Sequence, residues 1–183
     1  MFRTRSARNL TVALAALCAL LAPGRGAAQA QTLVPAGSVW RYLDTGADPG
    51  TAWTSLAYDD SGWRAGSAQL GYGDGDETTV VRYGSSSNKY VTTYFRHTFQ
   101  AAGPSAYQSL SLRLLRDDGA VVYLNGVEIL RSNMPGGSIL SSTLASSALG
   151  EPEESAWSTT SIPSSFLVAG LNVLAVEIHQ ADR

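Results

Sequence analysis

Asn125-Gly126 constrains the fold of this chain more than any other pair of residues. It lies between two runs of β-formers, Ala120–Leu124 and Val127–Leu130. Asn followed by Gly best accommodates the two positive φ angles of a type I′ turn, so the segment is read as a tight β-hairpin. A two-residue loop places Leu124 opposite Val127 and Val122 opposite Ile129, on one face, with Tyr123 and Glu128 on the other. Upstream, Leu110, Leu112 and Leu114 alternate with Ser111 and Arg113 as in a half-buried strand. Arg116-Asp117-Asp118-Gly119 reads as the polar turn that joins this strand to the hairpin, which predicts a three-stranded antiparallel meander.

The rest of the chain supplies similar short pieces. Val39-Trp40-Arg41-Tyr42 is a strand in sequence pattern, and 44–51 (DTGADPGT) is a turn cluster. In 90–99 (YVTTYFRHTF), Phe95, His97 and Phe99 fall on one face and Tyr94, Arg96 and Thr98 on the other. In 172–180 (NVLAVEIHQ), Leu174, Val176 and Ile178 oppose Val173, Ala175, Glu177 and His179. Val80–Tyr83 and Trp157–Ile162 read as further short strands, whereas 66–79, 84–89 and most of 138–165 read as loops. No apolar run has helical spacing beyond a turn or two, so the fold class is all-β, a sandwich or a barrel.

The first thirty residues read as an export leader. Arg3, Arg5 and Arg8 precede the apolar stretch Leu10–Leu21, and Ala28-Gln29-Ala30 matches a cleavage site. Pro23 and Arg25 interrupt the run before it reaches the roughly 20 residues of a membrane anchor. Cleavage near Ala30 would place residues 31–183 outside the cytoplasm, in a secreted, periplasmic or extracellular location. The only cysteine, Cys18, would leave with the leader. So would four of the thirteen basic residues and none of the fifteen acids, leaving a formal charge of −6. Such a chain has no basic cluster to neutralise phosphates, which argues against nucleic acid or an anionic membrane as partner.

Several of these segments together resemble the galactose-binding-domain-like jelly roll. They are Trp53, Asp59-Asp60-Ser61-Gly62-Trp63, Tyr94-Phe95-Arg96, 117–126 (DDGAVVYLNG) and 170–177 (GLNVLAVE). The stretches 70–79 (LGYGDGDETT) and 175–180 (AVEIHQ) look like the variant found beside metallophosphoesterase, lamin-tail and spore-coat-type domains. The resemblance covers 38–180 and implies an antiparallel jelly-roll β-sandwich over residues 31–183. A final apolar strand normally follows the AVEIHQ segment, so the resemblance also implies that this strand is missing and that 31–183 is the front part of a longer protein. The implied role is a secreted, non-catalytic accessory module that binds carbohydrate or another extracellular polymer beside an attached catalytic domain. The alternative is an N-terminal scaffold for a purple acid phosphatase-like metallophosphoesterase, with no ligand of its own.

The residues themselves carry no enzyme signature. His-Glu-x-x-His, Gly-x-Ser-x-Gly and a phosphate-binding Gly loop are all absent. Ser86 and Lys89 match Ser-x-x-Lys but sit in a serine-rich loop, and His97 and His179 read as structural residues in strands. For a glycan, aromatic faces flanked by planar polar groups are the relevant chemistry. Trp53, Trp63, Tyr72, Arg82, Asn88 and Tyr90 are the candidates for such a surface, against the alternative that Trp40, Trp53 and Trp63 fill the sandwich core. Asp74, Asp76 and Glu77, among glycines, are candidate oxygen ligands for a structural calcium ion, against the alternative of a solvated acidic loop.

Overall fold

A computed structural model describes residues 10–12, 17–21, 30–73 and 75–182. Its strands are β1 (Leu10–Val12), β2 (Leu17–Leu21), β3 (Ala30–Val34), β4 (Val39–Leu43), β5 (Arg64–Ser67), β6 (Leu70–Tyr72), β7 (Thr79–Val80) and β8 (Gly84–Ser85). They continue as β9 (Asn88–Lys89), β10 (Thr92–Ala101), β11 (Tyr107–Leu114), β12 (Gly119–Leu124), β13 (Val127–Ser132), β14 (Ser158–Ile162) and β15 (Gly170–His179). Three single 3₁₀ turns, at Ala52–Thr54, Pro104–Ala106 and Ser164–Phe166, are the helical elements among the described residues.

Two sheets build the sandwich. One is six-stranded in the order β13-β12-β15-β10-β4-β5, the other four-stranded in the order β14-β11-β2-β3. All pairings within both sheets are antiparallel. The core between them joins Leu110, Leu112, Leu114 and Ile162 of the smaller sheet to Trp40, Phe95, Val122, Leu174, Val176 and Ile178 of the larger. The period-2 alternation of β11 and β15 is therefore the direct cause of the packing. The chain is an all-β antiparallel sandwich, as its pattern of short strands predicts.

The hairpin turn forms as expected, with Asn125 at φ 53° and Gly126 at φ 85°. Two details differ from the sequence reading. A bulge between Val122 and Tyr123 pairs Val122 with Leu130 rather than Ile129, since one extra residue on β13 shifts the register. Val127 ends half exposed rather than buried with Leu124. The meander is also corrected: β11 lies in the four-stranded sheet and β12 in the six-stranded one. The Arg116–Gly119 turn thus carries the chain across the sandwich, where Asp118 Oδ1 accepts from the Leu149 amide and Oδ2 from the Ala181 amide.

β15 is paired with β10 over Gly170–His179 on one side and with β12 from Leu174 to His179 on the other. No open edge therefore lies beside 172–180. In the smaller sheet, the row between β11 and β3 is filled by β2, from the apolar stretch of the expected leader. Residues 1–9, 13–16 and 22–29 of that leader lie outside the described residues. No helix among the described residues is long and apolar enough to cross a membrane.

Candidate functional site

The outer face of the six-stranded sheet is not left to solvent. β10 contributes Tyr94 and Arg96, β12 Tyr123, and β15 Ala175, Glu177 and His179, and the loop around 53–63 folds over them. Trp53, Trp63, Tyr94 and Ala175 form a second buried cluster here, separate from the sandwich core, with Leu43, Tyr58 and Tyr123 packed against it. Trp53 meets Tyr94 edge-on with ring centroids 4.9 Å apart and Tyr123 at 5.7 Å, and stacks on Trp63 at 6.4 Å.

Arg96 is the pin that holds this loop down. Its side chain is 1 % exposed, and its Nε donates to Asp60 Oδ2 at 2.7 Å. The guanidinium also donates to the carbonyls of Trp53, Ser55 and Tyr58 and lies over the Tyr58 ring, 5.2 Å from its centroid. A buried guanidinium needs this many acceptors, because an unsatisfied charge in such a place is strongly unfavourable.

A polar chain runs beside the aromatic floor. The Tyr123 hydroxyl donates to Glu177 Oε1 at 2.7 Å, and His179 Nε2 stands 3.2 Å from Glu177 Oε2. His179 Nδ1 faces the Thr143 carbonyl at 2.7 Å and Thr92 Oγ1 at 2.9 Å. Thr92 Oγ1 donates in turn to the Ser141 carbonyl at 2.8 Å, so that Nδ1 is the donor to both of its neighbours. These bonds strap the 140–145 segment to the sheet. Burial, reinforced by the Glu177 charge, pushes the phenols of Tyr123 and Tyr94 above the ordinary tyrosine range. Both rings therefore remain hydrogen-bond donors at neutral pH.

Between the 48–54 turn and the 139–141 segment this arrangement leaves a cleft of about 340 Å³. Trp53, Tyr94 and Tyr123 form its floor, and Asp48, Ser141 and Glu177 supply polar groups on its walls. Asp48 is itself placed by the Gly50 amide at 2.8 Å and by the Ser141 hydroxyl at 3.3 Å. A second cleft of about 200 Å³ adjoins the first at Ser141 and is lined by Ala47, Asn88, Lys89, Tyr90 and Thr92. Gly46 shapes it: at φ +73° a Cβ there would stand 2.5 Å from Tyr90 Cδ1, so only glycine lets the ring lie against the backbone.

The structure divides the residues singled out from sequence. Trp53 lines the larger cleft, and Asn88 and Tyr90 the smaller. Trp63 supports Trp53 from behind and is 8 % exposed. Of the three tryptophans weighed as core residues, Trp40 alone joins the sandwich core, while Trp53 and Trp63 are buried on the opposite side of the sheet. Tyr72 is packed against Tyr83 with centroids 4.6 Å apart, and Lys89 Nζ lies 5.5 Å from its ring. Arg82 is exposed and contributes its backbone amide to the buried Asp44, which also holds Arg64 at 2.7 Å. Neither Tyr72 nor Arg82 lines the two clefts. Of the acidic loop, Asp74 lies outside the described residues. Asp76 accepts from the Gln69 side chain at 3.2 Å, and Glu77 from the Gly75 amide at 3.0 Å. Among the described residues no three His, Cys, Asp or Glu side chains are gathered for a metal ion.

Sequence reasoning missed Glu177, Tyr123, Asp48 and Ser141. One signal was present: Glu177 and His179 interrupt an otherwise apolar strand on the same face, and a central strand tolerates such groups only when they find partners.

No family model matches the chain, and no curated protein matches it. Solved structures do. A β-glucuronidase from glycoside hydrolase family 2 aligns with 98 % of this chain at a TM-score of 0.50 and 13 % identity, using 15 % of its own length. A β-glucuronidase from an uncultured Clostridium sp. aligns with 88 % at a TM-score of 0.50 and 17 % identity, using 24 % of its own length. The likeness is one of fold. The chain spans less than a quarter of either enzyme.

Proposed function

We propose that this chain is a secreted, non-catalytic module of the galactose-binding-like kind, whose paired clefts hold a glycan for a catalytic domain attached in the full-length protein. The observation that carries this reading is the larger cleft. An aromatic floor of Trp53, Tyr94 and Tyr123 is ringed by oriented oxygens of Asp48, Ser141 and Glu177, and its volume of about 340 Å³ falls within the range of small-ligand sites. Such a site offers ring surface to the C–H faces of a pyranose and acceptors to its hydroxyls. The smaller cleft beyond Ser141 gives Tyr90 and Asn88 the same chemistry for a neighbouring sugar unit. Resemblance to a part of much larger glycosidases supports the accessory role.

The test is a glycan array probed with the full chain, followed by calorimetry on the best ligand with Tyr123→Ala and Tyr90→Ala. Retention of a glycan by the parent, weakened about tenfold or more by Tyr123→Ala, is the expected result. A well-folded domain that retains no glycan overturns the reading and leaves the scaffold alternative, in which no ligand is bound at all.

A further inference from the structure

The lining of the larger cleft has a marked charge character. It contains two carboxylates, Asp48 on the exposed rim and Glu177 on the wall, and no lysine or arginine among the described residues. The guanidiniums of Arg96 and Arg131 are committed elsewhere. Arg96 is spent beneath Trp53 on Asp60 and the loop carbonyls, and Arg131 is held by both carboxylate oxygens of Glu128 at 2.8 Å. His179, behind Glu177, has its Nδ1 engaged by Thr92 and Thr143 and turns its other nitrogen to Glu177 rather than into the cleft.

We propose that this cleft selects uncharged sugars and rejects uronic acids, with Glu177 and Asp48 as the residues that determine the specificity. The inference rests on the glycan-binding reading above. A sugar carboxylate seated on the Tyr123 and Trp53 floor would face two like charges and no cation in the lining of this cleft, since Lys89 lines the adjoining one. A neutral sugar meets the same oxygens as hydrogen-bond acceptors for its hydroxyls. The like-charge arrangement is thus a rejecting device and not merely the absence of an attraction.

The experiment is calorimetric titration of the full chain with cellobiose, β-1,4-galactobiose and xylobiose, each beside its monosaccharide, and with glucuronate and galacturonate. The expected preference for the neutral sugar over its uronate is at least about tenfold, or about 1.4 kcal/mol. It contracts as salt is raised from 20 to 500 mM, because a surface-near charge repulsion is screened. Asp48→Asn, on the exposed rim, should narrow the ratio of neutral to uronate affinity, chiefly by raising uronate affinity. Glu177→Gln should do so more strongly, and the rim variant keeps the test valid if the buried one fails to fold. Uronate binding equal to or tighter than neutral binding overturns the charge selection while leaving the glycan reading intact. A failure of every sugar to bind a folded domain overturns both.

Discussion

The two faces of the six-stranded sheet are made by the same strands and held by different physics. On the inner face Leu174, Val176, Ile178, Val122 and Phe95 are closed off by the opposing sheet, and shape and apolar area suffice. On the outer face, one residue along each strand, Tyr94, Arg96, Tyr123, Glu177 and His179 are closed off by a loop and by the 139–145 segment. Here directed hydrogen bonds work together with stacked and edge-on aromatic rings. The inner face specifies that a sandwich forms; the outer face specifies where the cleft opens. Directed bonds leave a cleft that close packing would have filled.

Perturbing each face should separate these roles. The largest effect is expected from Leu174→Ala, which opens a cavity in the core and should cost about 2–5 kcal/mol. Denaturant melts should show that loss, while the sugar affinity of the protein that remains folded stays within about twofold. Arg96→Met keeps an apolar stem but abandons the Trp53, Ser55 and Tyr58 carbonyls and Asp60. It should cost about 3 kcal/mol. Unlike the core change it should also loosen the cleft floor, seen as faster hydrogen exchange at 53–60 and loss of glycan binding. Unchanged exchange there would show that the loop is held by its aromatic rings alone.

The smallest effect concerns His97, whose Nδ1 donates to the Val39 carbonyl at 2.8 Å and whose ring lies 5.0 Å from that of Trp40. Burial pushes its pKa below the ordinary value of 6.5, with the Val39 contact opposing in part. The unfolded chain therefore takes up the proton first as pH falls. Stability from this residue is present above about pH 6.5 and is lost as pH drops through the folded value. His97→Gln should flatten this part of the melting-temperature profile between pH 7.5 and 5.5. A profile that keeps its full slope would assign the dependence to other groups.

Much of the framework was legible in the sequence because it is local. The face assignments in 90–99 and 172–180 follow from alternation alone, and the positive φ angles at Asn125 and Gly126 follow from the dipeptide. Most of the failures are non-local. A polar turn such as Arg116–Gly119 has the same composition whether the chain returns beside its own strand or crosses to another sheet, so β11 was joined to the wrong neighbours. The bulge before Tyr123 depends on how β13 meets its partner. Trp53 was found among the site residues because aromatics in loops are conspicuous. Glu177 and Tyr123 were not, since what makes them a site is a loop some sixty to a hundred and twenty positions earlier in the chain, pinned by an arginine whose role only the assembled fold defines.

The hairpin tip also sets a chemical clock. Asn125 Nδ2 donates to the Phe166 carbonyl and to Asn172 Oδ1, while its Oδ1 accepts from the Val173 amide. Asparagine followed by glycine is the pair most inclined to cyclise through the next backbone nitrogen and emerge as aspartate or isoaspartate. As long as the tip stays docked on β15, the side-chain amide is held in place by these partners. Each opening of the hairpin releases it, and conversion would put a carboxylate against Asn172 Oδ1 and a carbonyl that need a donor. The residue pair that makes the turn easy to form therefore also limits how long the protein can age intact, and the rate of mass gain at Asn125 becomes a readout of how often the sheet edge opens.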